Sequence, residues 1–213
     1  MHHCRCVIIE AMPVALQGPI AVTDPEPVHY KRWTREECGF LVQNGVIDPR
    51  KYELTEGELV QKVRSHLHIR ALMMACRWLN GIFAVGRLLQ EPSIQLTEAD
   101  TAYNDPEPDA VVLRAPYDDF SGKAHPEDIQ LVIEVSDSTL ATDTTIKAAL
   151  YCRAGLPDYW VLDIKGRRIM GRRIIVHREP LEGAYRSITI YAEDEPVTPL
   201  AAPNASIRAA DLL

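Results

Sequence analysis

The chain has 213 residues, 46% of them hydrophobic and 25% charged, with a net charge of -7. That length supports one domain with a real core, and no apolar run approaches the roughly 20 residues of a membrane-spanning helix. The acidic balance argues against nonspecific nucleic-acid binding over the whole surface, but not against a local basic groove.

Residues 1–28 are interrupted by Pro13, Gly18, Pro19, Pro25 and Pro27 and read as a weakly structured N-terminal extension. The apolar patch after Met1 is too short for a signal peptide. His2, His3, Cys4 and Cys6 could bind a soft metal, although a ragged terminus is the plainer reading. The five cysteines (these two with Cys38, Cys76 and Cys152) are odd in number and scattered. That suits a reducing compartment, so the cytoplasm is the expected location.

Thr34 and Glu37 are spaced as a capping box, which predicts a helix running to about Asn44-Gly45. Alternation on both sides of Glu56-Gly57 predicts a hairpin. A second helix is expected from His66 to about Leu79, with Leu67, Ala71, Met74, Ala75 and Trp78 as its apolar stripe. Short strands are expected at Val85–Leu89 and Ser93–Leu96, then at Asp109–Leu113 and Leu131–Val135. A helix over about 143–154, stopped by Gly155 and Pro157, leads to a buried strand at Tyr159–Asp163. Arg168–His177 and Tyr185–Tyr191 read as a late hairpin. This order predicts one mixed α/β domain over residues 29–195 around a central sheet. The proline- and alanine-rich stretch 196–213 reads as a mobile C-terminal tail.

Asp109 and Glu134 are acids embedded in apolar runs, and ionised carboxylates are rarely buried without a partner. If their strands pair, both reach one sheet edge and can share a hard cation such as Mg²⁺ or Mn²⁺. The carbonyl of Val135 could add a backbone oxygen. Such an ion polarises a scissile phosphate and positions water. Asp143, Lys147 and Tyr151 share one helical face at i, i+4 and i+8. Lys147 either points over the sheet toward Glu134 or forms an exposed surface pair with Asp143. Glu58, in the hairpin beside Glu53, is either a further carboxylate for the site or a solvated edge residue. His66 and His68 are candidate phosphate or proton ligands, or plain helix-start residues. Lys165, Arg167, Arg168, Arg172 and Arg173 are either a nucleic-acid contact or a solvated strand face.

Several ordered blocks resemble the Uma-type proteins, bacterial proteins described as candidate restriction endonucleases. They are Tyr52-Glu53-Leu54, Gly57-Glu58-Leu59-Val60, Pro108-Asp109, Ile133-Glu134-Val135-Ser136, and Asp143-Thr144-Thr145-Ile146-Lys147 with Tyr151. Ala154-Gly155-Leu156-Pro157 and Tyr159-Trp160-Val161-Leu162-Asp163 complete the match, which spans roughly residues 30–190. The resemblance implies the PD-(D/E)XK fold, a restriction-endonuclease-like mixed sheet flanked by helices, and divalent-metal cleavage of DNA. It implies Asp109 as the first acid, Glu134 as the second, and Glu58 as the acid of the Gly-Glu-Leu block. The superfamily lysine would fall two residues after Glu134, where this chain has Ser136, so Lys147 is the natural substitute. The expected function is a Mg²⁺-dependent endodeoxyribonuclease. Double-strand cleavage would suit a homodimer. A non-catalytic scaffold that binds nucleic acid or protein is the alternative.

Overall fold

The computed structural model describes residues 30–119, 122–166 and 171–212. The extension 1–28, with its His/Cys cluster, lies outside the described residues, as do Arg167 and Arg168.

Helix α1 (Arg35–Gln43) starts as the spacing predicts. Thr34 accepts from the Glu37 amide, and Glu37 accepts in return from the Thr34 amide. Strands β1 (Tyr52–Thr55) and β2 (Glu58–Gln61) form the expected hairpin. Helix α2 (His66–Ile82) follows, capped by Ser65.

Six strands then line up in sequence order: β3 (Leu88–Gln90), β4 (Ala110–Leu113), β5 (Ile129–Ser136), β6 (Asp158–Asp163), β7 (Arg173–Leu181) and β8 (Ala184–Tyr191). The short helix α3 (Glu98–Thr101) sits between β3 and β4. Neighbouring strands are antiparallel except β5 and β6, which are parallel. A parallel pair needs a crossover. Here it is α4 (Leu140–Thr142), a π-helical turn (Asp143–Lys147) and α5 (Ala148–Arg153).

β5 is buried at all eight positions, which is why it reads as a near-continuous apolar run. Its odd residues Leu131, Ile133 and Val135 pack with Ala71, Leu72, Ala75 and Leu79 of α2. Val132 packs on the other face with Leu150 and Tyr151 of α5. Strand alternation puts Glu134 on that second face, beneath the crossover helix.

Three elements differ from the sequence expectation, helix α2 in two ways. The buried face of α2 is His68, Ala71, Leu72, Ala75, Cys76 and Leu79, while Leu67 is exposed. His68 turns inward because it meets Asp109, and this sets the helix phase. The helix also runs through Asn80-Gly81, because Ile82 and Phe83 still pack on the core. Residues Ser93–Leu96 form no strand, yet Ile94 and Leu96 are buried against the α5 face. Finally, the stretch after Pro196 is packed rather than mobile. Val197 pairs with Ile207, and Val197, Ile207, Ala209 and Leu212 join the core beside α2.

Candidate active site

The hairpin, the start of β4, the end of β5, the π turn and the first turn of α2 converge on a cleft of about 80 Å³. Asp109 enters just before β4. Its Oδ2 accepts from the Val135 amide at 2.6 Å, which ties the two strand ends together. Its Oδ1 lies 3.1 Å from Nε2 of the buried His68.

Glu134 projects from β5 and is 4% exposed. Its Oε1 accepts from Lys147 Nζ at 2.9 Å and from the Tyr151 hydroxyl at 2.8 Å. Oε2 makes no hydrogen bond to any described residue. Lys147 Nζ also reaches Glu53, at 3.2 Å from Oε1. Thr55 donates to that same Glu53 oxygen at 3.1 Å.

The π turn places two charged side chains inward. Asp143 and Lys147 are both buried. Thr139 donates to Asp143 Oδ2 at 2.6 Å, and the Tyr159 hydroxyl holds the Asp143 carbonyl at 2.8 Å. π turns recur at functional sites because they re-aim side chains within a helix. The exposed Asp143–Lys147 surface pair is therefore not what forms.

The inner wall carries the acids Glu53, Asp109, Glu134 and Asp143 against the single ammonium of Lys147. This imbalance sets the electrostatics. Burial raises the Glu134 proton affinity well above the usual carboxylate range, and the charges of Asp109, Asp143 and Glu53 add to it. Lys147 alone opposes. For Lys147, burial favours loss of the proton, but Glu134, Glu53 and Asp143 outweigh it and hold the ammonium. For His68, burial likewise lowers the pKa, and contact with Asp109 more than restores it, leaving it raised.

Of the residues singled out by sequence, Asp109, Glu134, Val135 and Lys147 line this one cleft. Glu58 does not. It is exposed opposite Thr55 at the turn end of the hairpin. Glu53, 8% exposed and deeper in the same hairpin, lines the cleft in the place expected of Glu58. Cross-strand pairs share a face, so both acids lie on the Thr55 side and only depth separates them. Of the two histidines, His66 is exposed and His68 is in the site. The basic stretch pairs with acids where it is described: Lys165 with Asp137 at 3.0 Å, Arg172 with Glu193 at 3.4 Å and Arg173 with Asp163 at 2.9 Å.

A family model, Uma2, described as "Putative restriction endonuclease", matches residues 46–210. The chain belongs to the Uma2 family. The Uma2 match runs from before β1 to the C-terminal segment, so it contains every cleft residue named above. No curated protein matches the chain. Uma2 membership carries a nuclease assignment, with DNA as substrate, and the mixed six-stranded sheet with its helices is the restriction-endonuclease-like α+β fold. Proteins of this fold generally use divalent metal ions. No helix among the described residues is long and apolar enough to cross a membrane.

The donor set suits a hard cation. Among the described residues, no three His, Cys, Asp or Glu side chains cluster as a metal cage. What the Uma2 cleft offers instead is carboxylate oxygen, from Glu53, Asp109, Glu134 and Asp143. Mg²⁺ is commonly held by one or two carboxylates, with water and substrate phosphate supplying the rest. An added positive charge also answers the excess of acid around Glu134.

Proposed function

We propose that this Uma2 protein is a Mg²⁺- or Mn²⁺-dependent DNA endonuclease that hydrolyses phosphodiester bonds. The observation that carries this reading is the buried ammonium of Lys147, bound to both Glu134 and Glu53 in the cleft that Asp109 shares.

Asp109 and Glu134 would hold the metal through their carboxylates, with the Val135 carbonyl as a third oxygen. The metal would polarise the scissile phosphate and lower the pKa of a bound water. The chain's own residues do the rest. The Val135 amide and His68 fix the Asp109 carboxylate in place. Tyr151 and Lys147 both occupy Glu134 Oε1, which leaves Oε2 as its available oxygen. Lys147 supplies positive charge where negative charge grows on a phosphate oxygen. Glu53 orients that ammonium and offers a carboxylate oxygen to accept a proton from water. Lys147 thereby fills the role that Ser136, two residues after Glu134, cannot, and this favours catalysis over a scaffold.

One active centre cuts one strand, so double-strand cleavage implies a two-fold homodimer. The free, buried thiols of Cys38, Cys76 and Cys152 support the reducing environment of the cytoplasm.

A nicking assay on supercoiled plasmid with Mn²⁺ tests the proposal. The parent should relax the plasmid, while Glu134→Gln and Lys147→Met should not. Equal nicking by all three proteins would remove these residues from the chemistry. No nicking by the parent on single- or double-stranded DNA would favour the scaffold.

A further inference from the structure

Helix α2 contains no aspartate or glutamate over its 17 residues, although acids outnumber lysine and arginine by 30 to 23 in the whole chain. Its solvent face carries His66, Arg70, Met73 and Arg77, all exposed. At 100° per residue these four fall on one stripe, opposite the buried face.

Arg70 and Arg77 make no hydrogen bond or ion pair with any described residue. Most other described cations are held by an acid. At the cleft rim Lys62 is taken by Glu107 and Arg64 by Glu91. Elsewhere Arg153 is taken by Asp100, and the described cations after β6 other than Arg186 are each taken by an acid. The helix also starts at the cleft. Val63 and Arg64 line the cleft just before it, and His68 in its first turn touches Asp109.

We infer that the solvent face of α2 is a docking surface for the DNA phosphodiester backbone, with Arg70 and Arg77 as its phosphate contacts. This rests on the nuclease reading for the identity of the polyanion. Seven residues of helix separate the two guanidinium-bearing positions by about 10.5 Å. Along the duplex axis one strand presents a phosphate about every 3.4 Å, so a helix laid beside the backbone brings a phosphate within reach of each arginine. A second copy of the chain does not fit the same face. A two-fold contact would set arginine against arginine, and Asp211, the acid beside Arg77, is already held by Arg208. A surface that binds backbone alone carries no sequence preference of its own; it sets the register in which DNA meets the cleft.

Fluorescence anisotropy of a short labelled duplex, with Ca²⁺ in place of Mg²⁺, tests the inference across a salt series. The parent should bind in a salt-dependent way. Arg70→Gln/Arg77→Gln should bind about tenfold more weakly or worse at low salt, and its log–log salt slope should be shallower by about 1.8. Arg70→Lys/Arg77→Lys should keep most of the slope. Arg186→Gln, which removes an exposed cation on β8, should bind like the parent. Circular dichroism melting should show the Gln double variant folded.

Parental affinity and slope in the Gln double variant would overturn the surface, while plasmid nicking by the parent would leave the nuclease reading standing. Weakened binding in that variant, with no nicking by the parent, would keep the surface and remove the nuclease. No duplex binding by the parent overturns the surface and leaves the face to an acidic protein partner.

Discussion

Two acids embedded in adjacent strands of one sheet have opposite surroundings. Asp158 opens β6 and is fully buried. Its Oδ1 accepts from Trp160 Nε1 and Arg178 Nε, each at 2.8 Å, and its Oδ2 accepts from the Leu200 amide at 2.8 Å. One carboxylate meets one guanidinium, and both oxygens are used. Glu134 in β5 is almost as buried, but it shares Lys147 with Glu53 and has Asp109 and Asp143 nearby. It also lines a cleft. Burial of an acid is therefore not a mark of function in itself. An excess of acid over cation, facing an opening, is what separates the two.

The contrast breaks or sharpens on substitution. Asp158→Ala should be the costliest for stability. It strands Arg178 in a partly buried site, and losing one member of a buried pair costs about 3–5 kcal/mol. Urea denaturation measures this, and nicking by the folded variant should match the parent. Glu134→Gln should do the reverse. Cleavage should fall about a hundredfold or more, a loss typical of removing a transition-state stabiliser. Stability should change by only about 1 kcal/mol, because the substitution removes one of several crowded charges. A stability loss as large as that of Asp158→Ala would erase the distinction.

Smaller effects refine the cleft boundary. Glu53→Gln should slow cleavage about tenfold, as loss of a supporting partner commonly does, while Glu58→Gln should leave the rate unchanged. Equal losses would place Glu58 back in the site. The smallest effect belongs to the closed side. His177 is buried against Tyr159 and Tyr185, and burial lowers its pKa below the ordinary 6.5. The unfolded chain then binds the extra proton, so the His177 contribution is complete above 6.5 and is lost as pH falls through and below it. His177→Phe should flatten the fall in melting temperature on acidification.

Much of this arrangement is legible in the sequence because it is local. The Thr34–Glu37 capping box, the Glu56-Gly57 turn, and the acids at 109 and 134 all follow from spacing and alternation. Lys147 is legible too, because helix periodicity puts it on the face of Asp143 and Tyr151. The rest depends on tertiary contacts. Depth along a hairpin distinguishes Glu53 from Glu58, and alternation treats them alike. The phase of α2 is set by a polar contact between His68 and Asp109, whereas an apolar-stripe reading favours Leu67. The packing of Val197, Ile207 and Leu212 is hidden by the prolines and alanines between them. The π turn has no period of its own to read.

Calorimetric titration of Mn²⁺ into the parent, Asp109→Asn, Glu134→Gln and Asp158→Asn tests the centre of the account most directly. The parent and Asp158→Asn should bind the ion, and the two cleft variants should lose that binding. Undiminished binding by Asp109→Asn and Glu134→Gln would contradict it, because the surplus carboxylates of the cleft would then have no cation to hold.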